Sequence, residues 1–440
     1  MTAASLRERF GPAAGMGAGL VVVGLAGYGF LALSGQTLSA ADNAAVLSFY
    51  LIMSIVGPGV FTGVEQETSR STSAWLASGG SLRTVAGRAS LVAAGLVGVV
   101  LVVLAAASPV LTDKVLDGQW GLFFALGLGV AGSAAVYVVR GLLGGTQRFN
   151  GYAVSLTVEG LSRIVLCAVV VVLGLTNATL YAFIFALGAV FSLLAGLPWL
   201  RHRDAAAVEV AAVDGLPTDA GNPVTAMARG MTLLVGATLG FQAVANLAPI
   251  LVNARLEYDK EIAEAFGSAF VLVRIPVLLF AAVQAMLMPV LTKAVTTGDL
   301  PAFRATLRKI LLLLAAIGVP AVLGATILGP WAVEVLFGAE VRLPHAILGL
   351  LAASTILLML TQVLLPALVA LSKHRIVTVA WVIGGVVLIG LLSLPIDPVW
   401  TAVWAQLVAC GLVTAVMAAS LVGPLRQTAA TKAQEPEPAR

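Results

Sequence analysis

Few side chains in this sequence can do chemistry, and most of them stand in or beside long apolar runs. Arg274 has no acid within helical reach, because Glu261 and Glu264 lie too far back along the chain. If that run crosses a membrane, such a guanidinium needs a partner from another helix, a water-filled cavity or an anionic ligand. Gln284 follows in the same run. Glu159 and Arg163 stand four residues apart, so on a helix their side chains meet. They read either as a self-neutralising pair or as a coupling or substrate-binding site. Glu65, Gln66, Glu67 and Arg70 form a second polar cluster. It is either an acidic helix end paired with Arg70 or, at Glu65, a proton or cation site. Gln242, Asn246 and Asn253 make a polar stripe, suited to hydrogen bonds between helices or to lining a cavity. Arg140 and Arg148 bracket a turn and are expected to snorkel to the inner interface, with gating as their functional alternative.

The elements that must position these residues follow from composition. The chain has 440 residues, of which 60% are apolar and 10% charged, with a mean hydropathy of +1.02. A soluble domain carries about 25% charged residues, and no core at this length hides so much apolar surface from water. Lipid is the remaining solvent. A helix crosses its hydrocarbon core in about 20 residues, which gives about twelve spans on that rule. They are Ala14–Ser34, Ala44–Gly63, Ala89–Leu111, Gly121–Val139, Tyr152–Leu175, Ala178–Leu200, Gly230–Val252, Phe266–Leu291, Ile310–Trp331, Ala346–Ala370, Ile376–Leu394 and Val399–Val422. The apolar runs are continuous, so strands at barrel spacing are excluded. The first run is kept as a span rather than a signal peptide, because it is long for one and the topology needs it.

Orientation follows from the loops. With the N-terminus inside, the inner segments hold 19 Lys and Arg and the outer ones 4, and Arg163 and Arg274 complete the total of 25. That bias places both termini in the cytoplasm. Trp120, Trp331 and Trp400 fall at outer ends and Trp199 at an inner one, as interface anchors do. The net charge of +4 is scattered, which argues against nucleic acid as a partner. Cys167 and Cys410 read as buried small hydrophobes, and the three histidines have no metal-ligand spacing. Gly127, Gly129 and Gly132 match a nucleotide-binding spacing but lie inside a span, where they serve packing, as do Gly15 and Gly19. No phosphate-binding loop occurs, so no cofactor is expected and energy is expected from an ion gradient, the membrane potential or the substrate gradient.

An internal repeat organises the whole. Arg83, Arg88 and Pro109 recur as Arg304, Lys309 and Pro330, each at an offset of 221 residues, and Pro58 recurs as Pro276 at 218. Gly141–Phe149 aligns loosely with Ala367–Arg375. The expected organisation is a cytoplasmic N-terminus (1–13), a six-helix lobe (14–200), a cytoplasmic linker (201–229), a second six-helix lobe (230–425) and a disordered tail (426–440). This is an all-α membrane protein with two parallel six-helix repeats around a central cavity, an architecture of alternating-access transporters.

Three short segments carry a resemblance. RGLLGGTQRF at Arg140–Phe149, EQETSR at Glu65–Arg70 and EGLSR at Glu159–Arg163 resemble motifs of bacterial polysaccharide exporters. These belong to the multidrug/oligosaccharidyl-lipid/polysaccharide flippase superfamily. The resemblance implies a flippase moving a lipid-linked oligosaccharide across the cytoplasmic membrane, with polysaccharide assembly enzymes as partners. It further implies that Arg274 meets a pyrophosphate or acidic sugar; Gln242, Asn246 and Gln284 are the other candidate substrate-binding residues. Lipid II flippases of this superfamily have fourteen spans and more cavity arginines, so another glycan is implied. A multidrug antiporter of the same superfamily is the rival, though its usual first-span acid is missing here. A membrane glycosyltransferase or polymerase is disfavoured by the short outer loops.

Overall fold

The computed structural model describes residues 3–201, 223–277, 280, 300–371 and 373–432. It is all-helical, with no strand among the described residues. The helices are α1 (Ala3–Thr37), α2 (Ala40–Ala77), α3 (Leu82–Val110), α4 (Trp120–Gly145), α5 (Phe149–Val172) and α6 (Ala178–Arg201). They continue as α7 (Pro223–Arg255), α8 (Lys260–Leu272), α9 (Leu300–Phe337), α10 (His345–Ala370), α11 (His374–Leu392) and α12 (Pro398–Lys432). A π-helical turn, Leu111–Val115, closes α3.

Eleven of these helices are long and apolar enough to cross a membrane. The eighth expected span is not among them: α8 has 13 residues, a turn follows at Val273–Arg274, and most of 278–299 lies outside the described residues. Pro276 explains the break: it offers no N–H to the carbonyl four residues back. Turn hydrogen bonds take over, from Arg274 N to Val271 O at 3.1 Å and from Val277 N to Arg274 O at 2.9 Å. Several helices outrun the apolar stretches that signal them. The second continues to Ala77 rather than Gly63, the seventh starts at Pro223 and the twelfth reaches Lys432. Helical hydrogen bonding persists past the lipid boundary, where hydropathy has no reason to stay high. Pro223 and Pro398 open their helices, a position where the missing N–H costs nothing. Ser39 caps α2, its hydroxyl accepting from Asp42 N at 3.2 Å.

The described chain forms two compact units. The first comprises residues 1–268 and 334–341. In it α2 runs antiparallel to α7, as successive contacts show. Asn253 Nδ2 donates to Ser48 Oγ (2.8 Å), Gln242 Nε2 to Ser54 O (2.9 Å) and Thr238 Oγ1 to Gly59 O (2.6 Å). The α1–α5 contact uses Gly15 and Gly19, which face Ala153 and Leu156. Phe30, Phe49, Tyr50, Tyr181 and Phe185 make an aromatic core with ring centroids 5.4 to 6.2 Å apart. By contrast α3 is 17% buried over its apolar window, and Leu91, Val99, Val102 and Val103 are exposed. Lipid solvates such a face.

The second unit comprises residues 269–333 and 342–440. Here α12 packs against α10 and α11, with Trp381 1% exposed at the centre. Thr414 Oγ1 donates to Leu357 O at 3.2 Å, and Lys373 Nζ to Ser420 O at 2.8 Å. The helix α9 is 17% buried, matching α3, its counterpart in the repeat.

Candidate functional site

The three segments that carry the resemblance converge inside the first unit. Helix α4 approaches α2 closely because Gly141 and Gly145 have no side chain to hold it off. A Cβ at Gly141 would lie 2.7 Å from Glu65 O, and one at Gly145 2.5 Å from Ser69 O. Small residues one turn apart allow this kind of backbone contact. The approach sets Arg140, on α4, beside the polar face of α5. Tyr152, Ser155, Glu159 and Arg163 recur on α5 at helical spacing and share that face.

The hydrogen bonds there are dense. Arg140 Nη2 donates to Glu159 Oε2 at 2.5 Å and to Ser192 Oγ of α6 at 2.9 Å. Arg140 Nε donates to Ser155 Oγ at 3.2 Å, and the Ser155 and Ser192 hydroxyls are 2.7 Å apart. Arg163 Nη2 meets Glu159 Oε1 at 2.7 Å, while its Nε donates to Phe185 O at 3.0 Å. The Arg163 guanidinium stacks 3.9 Å from the Phe185 ring centroid. Gly188 makes room for it, since a Cβ there would lie 2.5 Å from Arg163 Nε. Glu159 is thus clamped by two guanidinium groups on separate helices.

Glu65 is held differently. Its Oε1 accepts a hydrogen bond from the Tyr152 hydroxyl at 2.5 Å, from a phenol rather than a guanidinium. The Arg140 charge acts on it from further away. Two acids and two arginines balance in charge, so the site binds no net charge of its own. Of the two acids, Glu159 is held by two guanidinium groups and Glu65 by a phenol.

The other sequence candidates fall elsewhere. Glu67 is 3% exposed and forms a bidentate pair with Arg70, at 2.6 and 2.9 Å, joined by Ser71 Oγ at 2.9 Å. Arg148, half-buried at the turn between α4 and α5, donates to Trp199 O. Arg140, expected beside it, instead turns inward and is 4% exposed. Snorkelling yields there because a buried carboxylate and two hydroxyls offer it a complete shell. Gln242 and Asn246 lie along the α2–α7 contact, where Asn246 Nδ2 donates to Gln242 O at 3.0 Å. Arg274, in the second unit, stands at the helix break with its guanidinium 4.0 Å from the Phe270 ring centroid. Gln284 lies outside the described residues. Sequence reasoning missed Tyr152, Ser155 and Ser192. The helical spacing of Tyr152 and Ser155 from Glu159 was the signal that could have found the first two.

Comparison with known proteins places the fold. No family model matches the chain. An uncharacterized protein of Mycobacterium tuberculosis (strain ATCC 25618 / H37Rv) is 27% identical over 397 residues, spanning 87% of this chain and 85% of the relative. A second one from the same strain is 28% identical over 348 residues, spanning 77% and 75%. Among solved structures, the inward-facing conformation of a multidrug resistance MATE family transporter of the MOP superfamily superposes with a TM-score of 0.71 at 15% identity. That match covers 92% of this chain and 96% of the other. An outward-facing conformation of such a transporter gives 0.57 at 14% identity, covering 94% and 96%. A MOP superfamily transporter from Pyrococcus furiosus, described as having a binding pocket of reverse polarity, gives 0.55 at 15% identity, covering 93% and 97%. The chain has the fold of the MATE transporters of the MOP superfamily.

Proposed function

We propose that this protein is an alternating-access flippase that moves a lipid-linked oligosaccharide, a cell-envelope polysaccharide precursor, across the cytoplasmic membrane. One observation carries the reading: the three exporter-like segments, distant in sequence, build a single buried charge network on α2, α4 and α5. Ionisable groups inside a membrane helix bundle are costly and are retained for ion or substrate pathways. Glu65 is the coupling acid, and Glu159 with its two arginines is the rigid frame that positions α4 and α5 around it. Arg274 is the candidate group for the pyrophosphate of the lipid carrier, and Gln242, Asn246 and Gln284 are separate candidates for substrate binding. Both termini lie in the cytoplasm, and polysaccharide assembly enzymes supply and consume the substrate.

The fold neighbours favour a second reading, a multidrug antiporter, since several of them are multidrug transporters. Purified protein in liposomes separates the two. A flippase carries a labelled lipid-linked oligosaccharide between leaflets and ignores cationic dyes. Dye efflux driven by a proton gradient, with no movement of the oligosaccharide, overturns the first reading in favour of the second.

A further inference from the structure

Another buried acid stands at the outer ends of α2 and α8. Glu264, on α8 ahead of the apolar stretch that begins at Phe266, is 3% exposed. Its Oε1 accepts from Asn43 Nδ2 at 2.8 Å and from Ser268 Oγ at 2.9 Å. Asn43 is held in turn by Ser34 of α1, whose hydroxyl donates to Asn43 Oδ1 at 3.0 Å. The neighbouring charges are engaged elsewhere: Lys260 Nζ bonds Asn253 Oδ1 at 2.9 Å, and Asp42 Oδ1 accepts from Gln119 Nε2 at 2.7 Å. The charge that does act on Glu264 is of like sign, from Glu340 in the segment after α9. Burial beside an acid, relieved only by the Ser268 and Asn43 hydrogen bonds, pushes the carboxyl up to about 7.

Position makes this acid more than a buried curiosity. Asn43 and Glu264 are 221 residues apart, the offset of the internal repeat. Nearby, a Cβ on Gly267 would lie 3.2 Å from Leu47 Cδ1, which is another near-equivalent pair. Residues equivalent in a two-fold repeat touch only close to the axis that relates them. The contact ties α2 of one repeat directly to α8 of the other.

We propose that Glu264 is a proton-binding site and that its contact with Asn43 is an outer latch. The latch is closed while the carboxyl carries a proton and is released when that proton passes to water on the outer side. The inference rests on the transport reading but not on the identity of the substrate. A buried, closed latch favours the neutral acid, and an open, hydrated one favours the carboxylate. The closed form is therefore favoured at low pH and lost as pH rises through about 7.

The test is a spin-label distance measurement on the full chain in lipid nanodiscs, without substrate. Labels go on Leu173→Cys of the first lobe and Tyr258→Cys of the second, both exposed, with the buried thiols replaced by Cys167→Ala and Cys410→Ala. The outer distance should lengthen as pH rises, with a midpoint near 7, and Glu264→Gln should hold the short distance at every pH. If Glu264→Gln does not fold, Ser268→Ala serves, because losing a donor to the carboxylate should move the midpoint to higher pH. A distance that ignores pH, a Glu264→Gln protein that titrates like its parent, or a midpoint unmoved by Ser268→Ala overturns the latch. Because no substrate is present, these results are independent of whether the protein moves a lipid-linked glycan.

Discussion

Arg140 of α4 and Glu159 of α5, 19 residues apart in sequence, meet 2.5 Å apart in the interior of the first unit. Arg163 closes on the other carboxylate oxygen at 2.7 Å, so one acid is fixed by two cations. Glu65 is held by the Tyr152 hydroxyl instead, and on the proposed reading it is the acid that exchanges a proton.

Removing Glu159 should be severe. The Arg140 and Arg163 side chains are only 5% and 9% exposed, so Glu159→Ala leaves two buried cations uncompensated. Loss of one partner from a buried ion pair costs about 3–5 kcal/mol. Ser192→Ala removes one neutral acceptor and should cost about 1 kcal/mol. Thermal unfolding in detergent should rank the two variants in that order; equal shifts would mean that the network is not held by its charge.

The α2–α4 approach should not tolerate side chains. Gly141→Val and Gly145→Val each push a Cβ to within 2.7 Å of a backbone oxygen of α2. Overpacking of this kind costs about 1–3 kcal/mol. Gly127→Ala places its Cβ 3.8 Å from Leu101 Cδ2 and should be neutral. Unfolding midpoints of the three variants check the contrast.

For the exposed Lys114–Glu257 pair the expected effect is small. Lys114 Nζ and Glu257 Oε1 are 2.8 Å apart, but their side chains are 54% and 44% exposed. The lysine holds the Glu257 carboxyl below the usual carboxylate range, and the pairing raises the Lys114 ammonium. Its contribution is present above the unfolded carboxylate range and lost as pH falls through the depressed value. It is lost again as pH rises through the raised lysine value. Solvent and salt screen such a pair. Lys114→Ala should leave the unfolding midpoint unchanged at physiological salt and neutral pH, and a measurable drop would show the pair to be stronger than its exposure allows.

Arg274→Ala should abolish transport while leaving expression and unfolding unchanged. The guanidinium stands at a helix break beside Phe270, where its loss interrupts no regular helix. Transport at the parental rate would remove Arg274 from the substrate path.

The helical architecture was legible because lipid imposes it: long continuous apolar runs are what that solvent demands of a spanning helix. The Glu159–Arg163 pair was legible too, since four residues on a helix fix a distance. Arg140 was not. Sequence places it beside Arg148 at a turn, and only the packing of Gly141 and Gly145 against α2 turns it inward to Glu159. The Asn43–Glu264 contact was equally hidden, although both residues sit at the repeat offset. A repeat says which residues are equivalent; it does not say which of them touch. The break at Arg274 could have been read from Pro276, had hydropathy not run through it unchanged.

The most direct measurement of the central claim is gradient-driven flipping of a labelled lipid-linked oligosaccharide in proteoliposomes, by wild type and by Glu65→Gln. Wild type should flip faster when a pH gradient is applied, and Glu65→Gln, folded and equally abundant, should lose that dependence. A Glu65→Gln protein that responds to the gradient as wild type does would contradict Glu65 as the coupling acid, and with it the network as the engine of transport.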